Sequence, residues 1–350
     1  MSDFLIIGQG LAGTIVTKQL LEHGCSVQLL DTPEFSASRV ASGLMNPVIG
    51  KRFTLSPDFL TQKILAEQQY RQVPDVYNSV NVLRYIHTYD EYQRWEKQSQ
   101  FLIQKNAAHL LSHTPEQFPE LYRHTNIPEH VVHIPNTARL QTTAFLEFYR
   151  NYFKALGILS EQTFTTNELT LHQDYCTYMG ERYSHLIFCD GWRSAYHTLF
   201  EYVPTIHAKG EFINVHIPSV NAGDFPVIIS NGKYLAHIHN NIFRFGATYI
   251  WNFSDTTPGN ESVVMLTTEL AQLLTCPFTV ESALAGVRPV VKDITPVVGQ
   301  HKQWKHIHTI NGLGSKGALL APLMSKLLVD NILNGTPIPA KYNVARFEQK

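Results

Sequence analysis

The chain has 350 residues, 44% of them hydrophobic and 16% charged, enough to bury a sizeable core and in keeping with about two domains. With 28 Lys and Arg against 29 Asp and Glu, the formal net charge of -1 gives no long-range pull toward phosphate backbones or acidic lipid, so no nucleic-acid partner is expected. Cys25, Cys176, Cys189 and Cys276 stand far apart without a CxxC pair, which argues against a zinc knuckle and against a disulfide framework.

The start, MSDFLIIGQG, reads straight into a strand without a basic leader, and no apolar run reaches the roughly 18 residues of a membrane span. A cytoplasmic protein is expected. The apolar run Phe4 to Ile7 reads as a buried parallel strand and Leu11 to Glu22 as a helix closed by Gly24; a second strand runs from Ser26 to Leu30 and ends at Asp31. Between strand and helix lies Gly8-Gln9-Gly10-Leu11-Ala12-Gly13. In this GxGxxG pattern Gly8 permits the tight turn, Gly10 lets backbone approach a pyrophosphate, and Gly13 lets helix and sheet pack closely. The helix N-terminus faces the phosphates, and the Asp31 carboxylate, beside Thr32, stands where the hydroxyls of an adenosine ribose would be taken. Strand, turn, helix and second-strand acid together point to a bound dinucleotide, but the fingerprint alone does not separate NAD from FAD.

Residues 36–53, SASRVASGLMNPVIGKRF, are rich in Ser, Ala and Gly and carry no helical hydrophobic period. An NAD dehydrogenase would continue here into another crossover helix. A small-residue loop instead suits backbone laid against a long cofactor, with Ser38, Ser42, Gly43 and Leu44 near it; a plain surface loop is the alternative. Amphipathic helices are expected over 57–72 and 142–157, with aromatic strand-like pieces such as VLRYIHTYDEY and His- and Pro-bearing loops over 80–134. The strand within YSHLIFCDGWRS closes on Gly191, which reads as a second approach of the sheet to the dinucleotide. From Pro204 to Phe253 alternation predicts antiparallel strands with a hairpin through Asn240-Asn241, and a helix over 260–275 leads to GVRPVVKDITPVVG and NGLGSKGALLAP.

In GVRPVVKDITPVVG, Pro289 favours extended backbone and so sets Arg288 on a strand or its end. A guanidinium is planar and always charged, and binds a carboxylate bidentately; a structural ion pair is the competing use. The 17 histidines are scattered without an HExxH; His237 and His239 stand at strand spacing, and no metal site is expected.

Taken in order, the GxGxxG with its acid, the small-residue loop, the strand ending at Gly191, KGE, FRFGATY, GVRPVVKDITPVVG and NGLGSKGALLAP resemble the flavin-dependent D-amino-acid and glycine oxidase family over nearly the whole chain. The wording of GLGSKGALLAPL and ASRVASGLMNP is most similar to the flavin domain of bifunctional tRNA wobble-uridine modification enzymes. With no electrostatic footprint for tRNA, that substrate is not carried over.

The resemblance implies an α/β fold: a Rossmann-like FAD-binding domain of glutathione-reductase type (1–79, 135–203 and 276–350) with an inserted, mainly antiparallel β-sheet substrate domain (80–134 and 204–275). It implies that Arg288 clamps a substrate carboxylate and that Gly312, Leu313, Gly314, Ser315, Lys316 and Gly317 lay backbone N–H groups near the flavin. Tyr234 and Tyr249 match pocket-lining positions, where the alternative is an ordinary strand aromatic, as for Trp251. Lys316 stands either above the flavin or toward solvent. The implied chemistry is oxidation of the C–N bond of a small amine or amino acid to an imine, with hydride transfer to noncovalent FAD and oxygen or another acceptor taking the electrons. No general base is strictly required. An NAD-dependent dehydrogenase and a noncatalytic flavin-binding module remain as alternatives.

Overall fold

The fold was analysed on a computed structural model that describes residues 2–32, 36–50, 53–56, 58–104, 123–220 and 227–348. Two sheets organise it. The six-stranded sheet runs in the order Val297–Gln300, Ile307–Asn311, His185–Phe188, Phe4–Ile7, Val27–Leu30 and Leu159–Ser160. All its neighbours pair in parallel except Val297–Gln300, which is antiparallel to Ile307–Asn311. Phe4–Ile7 is buried along its whole length, as expected of a strand covered on both faces. The helices Leu11–Glu22 and Gly317–Asn334 pack on one another, and Ile15, Val16, Leu20, Met324 and Leu328 share one core with Ile6 and Leu29.

The second sheet has eight strands, in the order Thr279–Val291, Thr205–His216, Ile242–Gly246, Tyr234–His239, Val227–Ser230, Tyr77–Ile86, His130–Leu140 and Leu44–Met45. Its pairs are antiparallel apart from Val227–Ser230 against Tyr77–Ile86. The hairpin between Tyr234–His239 and Ile242–Gly246 turns at Asn240, which takes the left-handed conformation that asparagine tolerates.

The sequence-based elements hold with particular exceptions. The expected helices appear as Phe59–Tyr70, Thr142–Ala155 and Asn260–Leu273; Pro57 lies outside the described residues, as do 105–122 of the aromatic middle stretch and 225–226 of the strand expected at FPVIISN. HTYDEY, expected as strand-like, instead opens the helix Tyr89–Gln104, and Thr88 caps it by accepting the Glu91 N–H on both its hydroxyl and its carbonyl. Thr-x-x-Glu ahead of a helix is a capping signature. The small-residue stretch contains one helical turn, Ala37–Val40, and two short strand segments, Leu44–Met45 and Val48–Ile49. FRFGATY is strand only as far as Gly246.

Boundaries at 79/80 and 134/135 fall inside the strands Tyr77–Ile86 and His130–Leu140, and the Arg288 strand, Thr279–Val291, edges the eight-stranded sheet. We propose a division that follows the two sheets and assigns these three strands to the second.

Candidate active site

One cavity of about 1320 Å³ runs between the two sheets, above the usual ~300–1,000 Å³ of a small-ligand pocket. Its wall includes Gly8, Gly10, Leu11 and Ala12 from the fingerprint, and Asp31 and Thr32 from the end of the second strand. Ser38, Ser42, Gly43, Leu44 and Gly191 follow, then Leu313, Gly314, Ser315, Lys316 and Gly317. Tyr234, Tyr249 and Arg288 line the same cavity, so residues up to about three hundred positions apart in sequence share one wall.

Gly13 and Gly312 do not line it. A Cβ at Gly13 would come within 1.8 Å of the Gly8 carbonyl oxygen, and one at Gly312 within 2.5 Å of Val291 Cγ2, so both serve close packing behind the wall. The N-cap residues of the Leu11–Glu22 and Gly317–Asn334 helices, Gly10 and Lys316, make no side-chain cap hydrogen bond, and the first residues of both helices line the cavity. Two helix N-termini thus present backbone donors and the positive end of their dipoles to it.

Buried and partly buried side chains fix the wall. The Ser38 hydroxyl accepts the Leu11 N–H at 3.2 Å. Arg139 donates to the Ser42 carbonyl (3.1 Å) and Arg244 to that of Val40 (2.9 Å), so the small-residue loop is anchored from the eight-stranded sheet. Burial, with Arg244 nearby, pulls the Arg139 pKa down to about 10, which still leaves it charged at neutral pH. Asp31 accepts the Gln9 N–H at 2.9 Å on one oxygen and pairs with Arg150 at 2.8 Å through the other. Arg150 also donates to Gln9 Oε1 and pairs with Glu161 at 2.6 Å. Sequence reasoning missed Arg150, which lies on a helix 119 positions from Asp31 and carries no local motif.

At the other end of the cavity, Arg288 Nη1 donates to the Thr248 carbonyl at 3.2 Å, and its Cζ lies 4.2 Å from the centroid of the Tyr249 ring. Burial lowers its pKa, yet a guanidinium keeps its charge in a protein. Among the described residues no carboxylate pairs with it, which leaves a partly buried cation without a counter-charge. Tyr234 has Asn46 and Ser230 as hydrogen-bonding neighbours, and burial pushes its hydroxyl pKa up, so it stays a neutral donor. Arg84, also missed in the sequence, is buried in the same wall, donates to Ser230 Oγ at 3.3 Å and pairs with Glu91 of the helix that Thr88 caps. Lys316 is half-buried and lines the cavity, with its pKa lowered by burial. Tyr249 is 57% exposed and Trp251 56%, with ring centroids 6.3 Å apart; Trp251 does not line the cavity.

The cleft fits a dinucleotide on these observations: its volume, the glycine-lined turn, two helix N-termini and an acid at the second strand end. A model of the family described as FAD dependent oxidoreductase matches residues 3–331. The chain belongs to this family. FAD is accordingly its cofactor, and the NAD alternative is set aside.

The fold is similar to that of iminodiacetate oxidase from a Chelativorans species, with a TM-score of 0.78 at 19% identity over 97% of this chain and 98% of that one. Glycine oxidase from Bacillus cereus gives 0.78 at 19% identity over 96% of each chain, and L-proline dehydrogenase from P. horikoshii 0.78 at 15% over 99% and 98%. A segment of 71 residues is 44% identical to the tRNA 5-methylaminomethyl-2-thiouridine biosynthesis bifunctional protein MnmC of Acinetobacter baylyi; it spans 19% of this chain and 11% of that relative. Among the described residues, no cluster of His, Cys, Asp and Glu could hold a metal ion, and no helix is long and apolar enough to cross a membrane.

Proposed function

We propose that this family member oxidises the C–N bond of a small amine carrying a carboxylate, an amino acid such as glycine, N-methylglycine, proline or a D-amino acid, to the imine. The observation that carries this reading is Arg288: a partly buried cation, held by Thr248 and Tyr249 on the cavity wall, with no carboxylate partner among the described residues. A substrate carboxylate completes its hydrogen bonding and its charge together. The solved structures with this fold include an iminodiacetate oxidase, a glycine oxidase and an L-proline dehydrogenase, each named for an amine that bears a carboxylate.

Bound FAD supplies a two-electron acceptor for the C–H bond beside the nitrogen. In this reading Arg288 fixes the carboxylate and so the position of the carbon to be oxidised. The neutral hydroxyl of Tyr234 donates to the carboxylate or accepts from the amine, and Tyr249 keeps the guanidinium in place. Lys316 adds positive charge where Leu313, Gly314, Ser315 and Gly317 present backbone. At the nucleotide end, Gly8, Gly10, Leu11 and Ala12 take the pyrophosphate, and Asp31, oriented by Arg150, takes the ribose, with Thr32 beside it. Gly13 and Gly312 support these turns from behind. Ser38, Ser42, Gly43, Leu44 and Gly191 complete the cofactor wall.

Noncovalent attachment is supported by the absence of cysteine from residues 311–322 and by the burial of Cys189, whose thiol pKa is pushed up. The four cysteines are free thiols, which supports a reducing, cytoplasmic setting with oxygen or another acceptor taking the electrons.

Anaerobic visible spectra of the FAD-loaded protein, recorded with glycine, N-methylglycine, proline and D-amino acids, test the reading. Bleaching by one of them, lost in Arg288→Ala with FAD retained, is the expected result. A flavin that none of them bleaches would favour a noncatalytic flavin-binding role.

A further inference from the structure

We infer that Gly210 is a positioning residue for the substrate carboxylate, because the Arg288 guanidinium occupies the space that any side chain at 210 would take. The inference rests on the reading of Arg288 given above. Three extended segments lie side by side. The strand Thr205–His216 has Thr279–Val291 along one edge, with Ala208 opposite Arg288 and Gly210 opposite Gly286. Its other edge holds residues 248–250: Lys209 and Ile250 exchange both backbone hydrogen bonds at 2.9 Å, and the Thr248 N–H donates to the Glu211 carbonyl at 3.1 Å.

Arg288 starts on the first edge and ends on the second, where Nη1 reaches the Thr248 carbonyl at 3.2 Å and Cζ lies 4.2 Å from the Tyr249 ring centroid. To make that span the side chain passes over the middle strand at Gly210. An ideal Cβ at 210 would stand 2.2 Å from Nη2 and 2.5 Å from both Cζ and Nη1, far inside van der Waals contact. Partners across an antiparallel pair share a face, so Ala208, Gly210 and Gly286 form a floor of small residues around Arg288. Lys209 and Glu211 project to the other face, where they pair at 2.8 Å and hold the backbone of Thr257 and Gly259. Gly210 is not among the glycines of positive φ, so backbone conformation does not require glycine there; the crossing guanidinium does.

The atoms in the way belong to the flexible end of one side chain. An added methyl group therefore displaces the guanidinium, while the strands stay paired. A residue that merely served the fold would show the reverse, with stability lost and the carboxylate site unchanged in the surviving protein.

The experiment compares the FAD-loaded parent, Gly210→Ala, Arg288→Ala and the double variant, using acetate as the carboxylate probe and acetamide as its neutral control. Binding is read from broadening of the probe's methyl resonance, with the flavin spectrum and thermal midpoint measured alongside. Gly210→Ala is expected to keep both close to the parent, to weaken acetate at least 10-fold without affecting acetamide, and to add nothing in the Arg288→Ala background. Should Gly210→Ala fail to fold, a folded double variant supports the inference and an unfolded one overturns it. Acetate binding by Gly210→Ala equal to the parent, or additive losses in the double variant, overturns the inference while the role of Arg288 stands. Unchanged acetate binding in Arg288→Ala overturns both.

Discussion

The two ends of the cavity are built from different materials. At the nucleotide end the wall is mostly backbone: glycines 8 and 10, the first turns of two helices, and a small-residue loop tied down by partly buried arginines. At the Arg288 end it is side chains, Arg288, Tyr234, Tyr249 and Arg84, carried by separate strands or by the segment that follows one. Backbone recognition demands glycine at fixed local spacings, whereas side-chain recognition asks only that distant strands meet in register. The first therefore writes a motif into the sequence and the second does not.

The largest expected effect concerns the far end of the six-stranded sheet, where His185 Nδ1 and His308 Nε2 lie 3.2 Å apart, in hydrogen-bond contact. Burial, with the other histidines nearby, pulls His308 down to about 3, and His185 is lowered as well. The unfolded chain takes up a proton near the ordinary histidine pKa of ~6.5 and the folded chain does not. Stability is then fully present above about pH 6.5 and falls with decreasing pH, by about 1.4 kcal/mol per unit for one such histidine. Denaturant melts from pH 7 to pH 4 should show at least that slope, and His308→Gln should reduce it by one histidine's share; an equal slope in both proteins would contradict the assignment.

Next in size is Arg288→Ala. Truncating one member of a buried charge pair costs about 2–5 kcal/mol, so kcat/KM for a carboxylate-bearing amine should drop at least about 30-fold. FAD affinity should not move, and a parallel loss of FAD would show that the two ends are not independent.

Gly13→Ala reverses the pattern. Its Cβ meets the Gly8 carbonyl oxygen, which is backbone and cannot swing aside; overpacking of this kind costs about 1–3 kcal/mol. A lower thermal midpoint and weaker FAD retention are expected, with KM unchanged in the fraction that stays loaded. The smallest effect belongs to Tyr249→Leu, which removes a cation–π contact worth about 0.5–1 kcal/mol at an exposed ring. A rise in KM of a few-fold with kcat preserved would match.

How legible each end was follows from the same contrast. Phe4–Ile7, Leu11–Glu22 and Asp31 stand within one short stretch of chain, and the structure shows the strand and helix where the sequence put them. Arg288 was singled out because Gly286 and Pro289 flank it in a recognisable order, and it lines the cavity. Arg150 and Arg84 were not found: their contacts to Asp31, Gln9 and Ser230 cross 119 or more residues, and nearby acids such as Glu161 and Glu91 do not mark an arginine as buried. The helix Tyr89–Gln104 was misread because its aromatics dominate a short window, although the Thr88-to-Glu91 capping pair was readable. Gly210 in KGE was seen as part of a pattern, but its reason appears only when Arg288 is placed over it.

The central claim is that Arg288 reads the substrate carboxylate. The most direct measurement is the anaerobic rate of flavin reduction by the amine that bleaches it, compared with the same amine as its carboxamide, in the parent and in Arg288→Ala. The account predicts strong preference for the carboxylate in the parent and near-equal rates in the variant. An undiminished preference in Arg288→Ala would contradict it.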